Sequence, residues 1–377
     1  MSSSQKLNNA CQEILDNCSN CGQCISECPM LERIGEDLVS IAMRQPTVEE
    51  AYACSLCGLC EAVCPASLSP RTMFAEARTK AVEDDEILID EFRYMFPDRD
   101  LNVMTLYREL NGTHYEEFPL DQTSPVAFFP GCTLLTYSPE LTKAAFNNIN
   151  QRYPELTLLT DCCGKPLYQL GLQRRGDDYV SYLKAKLEKL KVRSLIVACP
   201  SCYYQLRPAV SDLGITLMTI YEALGDSPVL KNQTKSDQLK LVTIHDSCPD
   251  RFEEKFASQT RAALKKRGYQ LVEMEHSRKT TACCGSGGQV THFQPELADN
   301  MVKSRLDEIK RSGAQIMASY CLSCVLNLSR NSSYVPTKHV LNLLLDLDQD
   351  FEGLKNKAKR MFDGPEGEKL WERVMAD

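Results

Sequence analysis

No apolar run in this sequence approaches the ~20 residues that a membrane-spanning helix needs; its apolar stretches, such as Leu195–Ala198 and Val340–Leu345, are only a few residues long. Met1–Ala10 contains no apolar core, so no secretory signal is expected there. Positive charge is not in excess either. The formal net charge is −8, which argues against a nucleic-acid partner, because phosphate contacts are made by Lys and Arg. Nucleotide fingerprints are missing: Gly285-Ser286-Gly287-Gly288 lacks both the G-x-G-x-x-G spacing and the P-loop lysine and reads as a turn. No flavin or NAD is therefore expected to be bound by this chain. These absences point to a soluble, cytoplasmic protein that reaches a membrane only through a partner. At 377 residues, a prior of about 150 residues per domain gives two to three domains.

Cysteine is what the chain has in abundance, nineteen residues, of which eighteen fall into four sets. The first set is Cys18, Cys21, Cys24 and Cys28 before Pro29, and the second is Cys54, Cys57, Cys60 and Cys64 before Pro65. Both read C-x2-C-x2-C-x3-C-P, the bacterial ferredoxin run, in which three thiolates of one loop reach one cube and the fourth ligates the other. The pattern predicts one cubane [4Fe–4S] cluster on Cys18, Cys21, Cys24 and Cys64, and a second on Cys54, Cys57, Cys60 and Cys28. Zinc is the competing reading, since paired C-x-x-C knuckles hold it in many small domains. Zinc sites usually take two separated pairs, however, and here four cysteines crowd into eleven residues, twice. Disulfides do not suit a chain kept reduced in the cytosol. Cys11 lies outside all four sets and reads as a helix residue.

Around these runs the pattern is helical. Leu31, Ile34, Leu38, Ile41 and Ala42 recur at three- and four-residue steps, Pro46-Thr47-Val48-Glu49-Glu50 looks like a helix start, and Met73, Phe74 and Ala77 share one face of a helix expected over 70–82. Residues 1–82 are expected to form a helical two-cluster ferredoxin domain, which resembles the helical dicluster domain of fumarate reductase-type iron–sulfur proteins. Residues 83–125 show no sustained period and read as an extended linker, with Phe92, Tyr94, Phe96 and Tyr107 as packing anchors.

From Val126 short apolar runs alternate with amphipathic helices, giving strands at 126–129, 156–160 and 194–198 and helices at 141–153 and 177–192. The same order repeats roughly 120 residues later, with strands at 241–244 and 315–319 and helices at 257–267 and 295–312. The fold class is thus α + α/β: the helical domain, then two repeated α/β modules at 126–235 and 236–346, and a charged tail at 347–377. Each module places five cysteines just after its strands, at the edge where open α/β sheets hold ligands. They are Cys132, Cys162, Cys163, Cys199 and Cys202 in the first module, and Cys248, Cys283, Cys284, Cys321 and Cys324 in the second.

A vicinal pair such as Cys162-Cys163 does not comfortably chelate one iron, but it can hand two thiolates to neighbouring irons. The glycine that follows, Gly164 or Gly285, frees the backbone for a close approach. Five thiolates exceed what one cube needs, so a bridging thiolate or an opened cluster is expected. A zinc or redox-thiol site is the alternative.

On these residues the modules resemble the CCG domains of heterodisulfide reductase. The ferredoxin-plus-two-modules order is similar to the D-type member of that family, a fusion of its C and B types. Related arrangements occur in the iron–sulfur subunits of glycolate and lactate oxidases and of anaerobic glycerol-3-phosphate dehydrogenase. The resemblance covers about residues 15–80 and 126–330. It implies a noncubane [4Fe–4S] cluster in each module, at which a disulfide is cleaved by successive one-electron steps. Carried over, the proximal set is Cys132, Cys162, Cys163, Cys199 and Cys202, and the other is Cys248, Cys283, Cys284, Cys321 and Cys324. Turnover is expected to depend on Cys163 and Cys284.

The sequence departs from the family where His245-Asp246-Ser247-Cys248-Pro249 stands in place of the frequent His-Asp-Pro-Cys, which puts the turn in question. His245 is a candidate proton donor to a leaving thiolate, against the alternative of a satisfied strand-end histidine. Lys165 is a candidate to offset cluster charge or hold an anionic substrate. The expectation is an iron–sulfur redox subunit of a hetero-oligomeric complex in anaerobic metabolism, partnered by a flavoprotein or other redox subunit and by a membrane cytochrome. The alternative is a non-catalytic electron-transfer subunit that links a flavin dehydrogenase or electron-transferring flavoprotein to a quinone, cytochrome b or ferredoxin partner.

Overall fold

A computed structural model describes residues 1–225, 240–330 and 335–376. Up to Glu83 every regular element is a helix. Ser2 starts helix Ser3–Asn17 by accepting the Gln5 N–H on its hydroxyl, and the stripe Leu7, Cys11 and Ile14 is buried. Helix Pro70–Glu83 packs against it and buries Met73, Phe74 and Ala77. Between them, Thr47 and Glu50 close a capping box on helix Val48–Ala53, which satisfies two orphan N–H groups reciprocally. This core is not closed on itself. Val290, Leu297, Ala298 and Met301, from far down the chain, complete it.

Two four-stranded parallel sheets follow. Strands β1 (Val126–Phe129), β2 (Thr157–Leu158), β3 (Ser194–Val197) and β4 (Thr216–Thr219) lie in the order β2-β1-β3-β4. Strands β5 (Leu241–His245), β6 (Gln270–Leu271), β7 (Ile316–Ser319) and β8 (Thr337–His339) repeat it as β6-β5-β7-β8. Phe128 registers with Leu158 and Ile196, and Ile244 with Ala318. Parallel strands covered on both faces need apolar residues throughout, and Ala127, Phe128, Leu195, Ile196, Val242 and Met317 are fully buried. The two sheets share one apolar core. At its centre Phe256 stacks on Tyr320 and meets Tyr203 and Tyr221 edge-on.

Strands and helices stand near their expected positions, with ends shifted by a few residues. β4, β6 and β8 are additional. They are short edge strands of mixed polarity, and in so few residues no period can register. The stretch expected to be extended contains the 3-10 helix Ile89–Met95 and the helix Val103–Leu110. Asn102 caps the latter, its Oδ1 accepting from the Met104 and Thr105 N–H groups. The tail forms helices Phe351–Lys359 and Gly364–Met375 and folds back on that stretch. There Val374 is buried, Trp371 packs on Tyr94, and Arg373 forms a bidentate pair with Glu109. Among the described residues no helix is long and apolar enough to cross a membrane.

One side chain joins the helical region to both sheets. Arg78, fully buried on helix Pro70–Glu83, donates to the carbonyls of Ala51 at 2.8 Å, Gln169 at 2.5 Å, Gly288 at 2.8 Å and Cys54. At Gly288 the approach is so close that a Cβ would stand 2.5 Å from the Cys54 carbonyl oxygen. A buried carbonyl left without its donor costs about 1–3 kcal/mol. Arg78→Met, which keeps most of the volume and removes the donors, is therefore expected to lower the unfolding free energy by about 3 kcal/mol or more, read from the urea midpoint. An unchanged midpoint would show that these bonds carry no net stability.

Candidate metal centres and the cavity between them

The two N-terminal cysteine loops are built alike. Cys18 and Cys54 cap the C-termini of helices Ser3–Asn17 and Val48–Ala53. Gly22 and Gly58, both at φ +74°, turn the chain into short helices carrying Cys24 and Cys60. In each loop a backbone N–H, of Asn20 or Leu56, points at the first sulfur at 3.4 Å. The thiols nevertheless group across the loops. Cys18, Cys21, Cys24 and Cys64 line one small hollow together with Cys60, Ile25, Leu38 and Leu68, and Cys21 is exposed. Burial first, and then Cys57 and Cys54, push the Cys28 thiol up to about 12. Cys60 is raised by burial and then by Cys54, Cys57 and Cys28.

The ten cysteines of the α/β region sit at the carboxyl ends of the strands, as two sets. In the first, Cys162 and Cys132 sulfurs lie 3.9 Å apart. Cys163 is held well below the ordinary thiol range because Cys162 and then Cys202 donate to it, with Lys165 adding its charge. In the second, Cys284 and Cys324 are 3.2 Å apart, and Cys284 is lowered by Cys283 and Cys324 in the same way. Gly164 and Gly285, at φ +79° and +74°, hold the left-handed turns after the vicinal pairs, where a side chain would be strained. The Gly285 N–H points at the Cys283 sulfur at 3.3 Å.

Contacts between sets are equally direct. Cys57 hydrogen-bonds to Cys283, and Cys199 to Cys321. The second module therefore places its cysteines against those of the N-terminal region. The reason is Gly287-Gly288, which brings the loop after Cys284 onto the backbone of Cys54 and Ser55. The glycine run read as a turn is also the seam between domains.

Both sets open on a single cavity of about 1020 Å³, lined by Cys132, Cys162, Cys163, Cys199, Cys202, Cys248, Cys284, Cys321 and Cys324. Lys165 projects there and acts electrostatically on Cys163 and Cys248, one from each set. Clustered soft thiols of this kind suit iron–sulfur groups rather than hard cations, which take oxygen ligands.

His245 ends β5, fully buried, and one ring nitrogen lies with the Cys284 and Cys324 sulfurs in a group spanning no more than 4.8 Å. Burial and then Arg305 push the imidazole down to about 3, and Arg305 Nε donates to its Nδ1 at 3.0 Å. The ring is thus neutral at neutral pH, with its proton on Nε2 by the logic of that bond. It is a hydrogen-bond donor, not an imidazolium acid. Asp246 pairs with Arg261 at 2.7 and 2.8 Å and accepts the Arg278 N–H, which fixes the loop. Ser247 adopts φ −78°, within the range to which a proline ring locks φ, so the departure at this position leaves the turn intact. No motif marks Arg305. Its signal in the sequence is a charge within the buried stripe Ala298, Met301, Val302 and Ile309.

Comparison with known proteins matches residues 13–68 to a 4Fe-4S dicluster domain and residues 126–207 and 242–329 to a cysteine-rich domain. The chain is 25% identical to the D-type subunit of dihydromethanophenazine:CoB--CoM heterodisulfide reductase from Methanosarcina acetivorans, over 83% of this chain and 88% of that one. It is 25% identical to the B-type subunit of fumarate reductase (CoM/CoB) from Methanothermobacter marburgensis, over 89% and 72%. With the glycolate oxidase iron-sulfur subunit of Escherichia coli it shares 21% identity over 84% and 90%.

Iron takes the thiolate, not the thiol. Cys28 and Cys248 are pushed up to about 12, both by burial first, so as iron ligands each would release a proton on taking the metal at neutral pH. Lowering the pH strengthens the proton as competitor. Iron loss to a chelator is therefore expected to accelerate as the pH falls from about 8 to about 6, by up to roughly tenfold per pH unit for each proton taken up. A pH-independent rate, followed by iron absorbance, would contradict this.

Proposed function

Because the chain belongs to the heterodisulfide reductase-like iron–sulfur proteins of the D type, with one dicluster domain and two cysteine-rich domains, we propose that it leads electrons along its own cysteines to a substrate disulfide. In this reading residues 1–82 are a helical ferredoxin domain with two cubane clusters, on Cys18, Cys21, Cys24 and Cys64 and on Cys54, Cys57, Cys60 and Cys28. The modules at 126–235 and 236–346 hold one noncubane [4Fe–4S] cluster each on their five cysteines. When bound, these groups supply single electrons, of which a disulfide takes two.

The observation that carries the reading is the shared cavity. Nine cysteines from both modules line it, and part of its volume of about 1020 Å³ belongs to the iron–sulfur groups they would hold; the rest of its lining, Tyr94, Arg108 and Thr291 among it, carries no cysteine and offers a second molecule a wall beside those groups. The S–S bond of the substrate breaks, each sulfur takes one electron and one proton, and two thiols leave. Electrons enter near the exposed Cys21, cross at Cys57 and Cys283, and cross again at Cys199 and Cys321. Lys165, between the modules, steadies negative charge on Cys163 and Cys248. His245, neutral and held by Arg305, orients on the Cys284 side.

The electron source is another chain, a flavoprotein or other redox subunit, in a cytoplasmic hetero-oligomer that a cytochrome partner can bring to a membrane. The relay reading draws instead on the likeness to the iron-sulfur subunit of glycolate oxidase.

Two measurements test this. Anaerobically purified chain is expected to carry about sixteen irons, and about eight if only the cubes are present. With reduced viologen it is expected to convert an organic disulfide to thiols, and Cys163→Ser or Cys284→Ser to reduce turnover at least about 100-fold. Full loading without thiol formation from any disulfide, while a flavoprotein still reduces the chain, would leave the relay reading in its place.

A further inference from the structure

The two α/β regions place their cysteines alike but surround them differently. Across the carboxyl ends of the strands, Phe129, Val197 and Thr219 stand in register in the first sheet, and His245, Ser319 and His339 in the second. Phe129 and His245 end the strands that lead to Cys132 and Cys248. Counted back from the helix ends at Lys189 and Arg311, buried Leu183 stands where the second region has buried Arg305. The first region thus has an apolar pair where the second has a cation and an imidazole.

A guanidinium loses its hydration in such a place, and burial pushes Arg305 below the ordinary arginine range. Its neighbours compensate only in part. Nη1 donates to Glu308 and Nε to His245 Nδ1 at 3.0 Å, while the buried Nη2 has no hydrogen-bond partner among the described residues. The charge reaches Cys284, and at His245 it outweighs that of Glu308. The Nε bond also decides what the imidazole can be. With the Nδ1 lone pair occupied, the neutral ring keeps its proton on Nε2. Neither nitrogen is then free to ligate iron, although the ring lies with the Cys284 and Cys324 sulfurs. What remains is an N–H donor beside them.

We infer that Arg305 and His245 are a tuning pair that raises the reduction potential of the second module's iron–sulfur group and leaves that of the first unchanged. Positive charge and N–H donors near the sulfurs favour the reduced form, which carries one more negative charge. The inference rests on both modules holding such groups, and not on what they reduce. It gives the second module a task of its own: lying against the N-terminal cysteines through Cys57 and Cys283, it draws electrons out of that region. Arg305 is a positioning residue, acting through its charge and through His245.

The test is a redox titration of the iron-loaded chain followed by electron paramagnetic resonance. Cys202→Ser and Cys324→Ser, each altering a ligand of one set, assign the signals to the modules. Arg305→Gln, which keeps a donor for His245 without the charge, is expected to lower the second module's potential by at least about 59 mV, a tenfold change in a one-electron equilibrium. The first module's potential should stay where it is. Arg305→Lys, which keeps the charge, should recover most of the loss. His245→Phe, which copies the first module, should lower the same potential, and it decides the matter if Arg305→Gln does not fold. An unmoved potential in either loaded variant would overturn the tuning role. So would equal shifts in both modules, or loss of second-module iron from both variants, which would make the pair structural. About eight irons in the wild-type chain in place of about sixteen would remove the iron–sulfur reading of the modules and the inference with it. Full loading and the expected shift, with no thiol formed from any disulfide, would leave the tuning pair standing and the reductase reading fallen.

Discussion

The molecule is organised around a buried guanidinium. Arg78 sits among carbonyls from the N-terminal cysteine loop, from the first α/β region at Gln169 and from the second at Gly288, with the Tyr52 ring 4.9 Å from its centre. Among the described residues no carboxylate pairs with it. Its charge is met by carbonyl dipoles and a π face, and burial pushes even this guanidinium down to about 10. Such a group fixes geometry more than it adds stability, because planar donors demand acceptors in set directions while desolvation consumes much of the gain. The acceptor directions belong to three parts of the chain, so those parts have one mutual position. Tyr52 adds a second tie by donating to the Leu170 carbonyl at 2.8 Å.

That position determines which cysteines meet. Arg78 holds Cys54 at its carbonyl, and Arg251 holds Cys57 in the same way at 3.1 Å while also donating to Lys279 and Thr281 just before Cys283. The contact between Cys57 and Cys283 is the product of these two anchors. Order along the chain and order in space then part company. The first ferredoxin set leads to the second, the second to the last module, and only then does the path turn back to the middle of the sequence.

Much of this was legible in residues and much was not, for separable reasons. The cysteine sets could be read because their spacing is local, and strands such as 126–129 because a short buried run before a turn has few other uses. The grouping of Cys28 with Cys54, Cys57 and Cys60 followed from the repeated run itself. The order of the modules was hidden, since nothing local in Cys57 or Cys283 announces that two glycines will close the gap between them. The linker looked unstructured because its helix Val103–Leu110 is short and owes its start to one asparagine.

A division of labour follows from where the two cavity walls are encoded. The cysteine wall is built from strand ends and their turns, where a one-residue shift would move a thiolate out of reach of its neighbours. The facing wall is built from helices whose anchors, Val374, Trp371 and the Arg373–Glu109 pair, lie away from the cavity. Apart from Arg108, which acts on Cys132, and Tyr94, which bonds His292, that wall is tied to its own segments rather than to the strand ends. In the proposed function, electron transfer would constrain the cysteine wall by distance, while the facing wall would be constrained only by what it contacts.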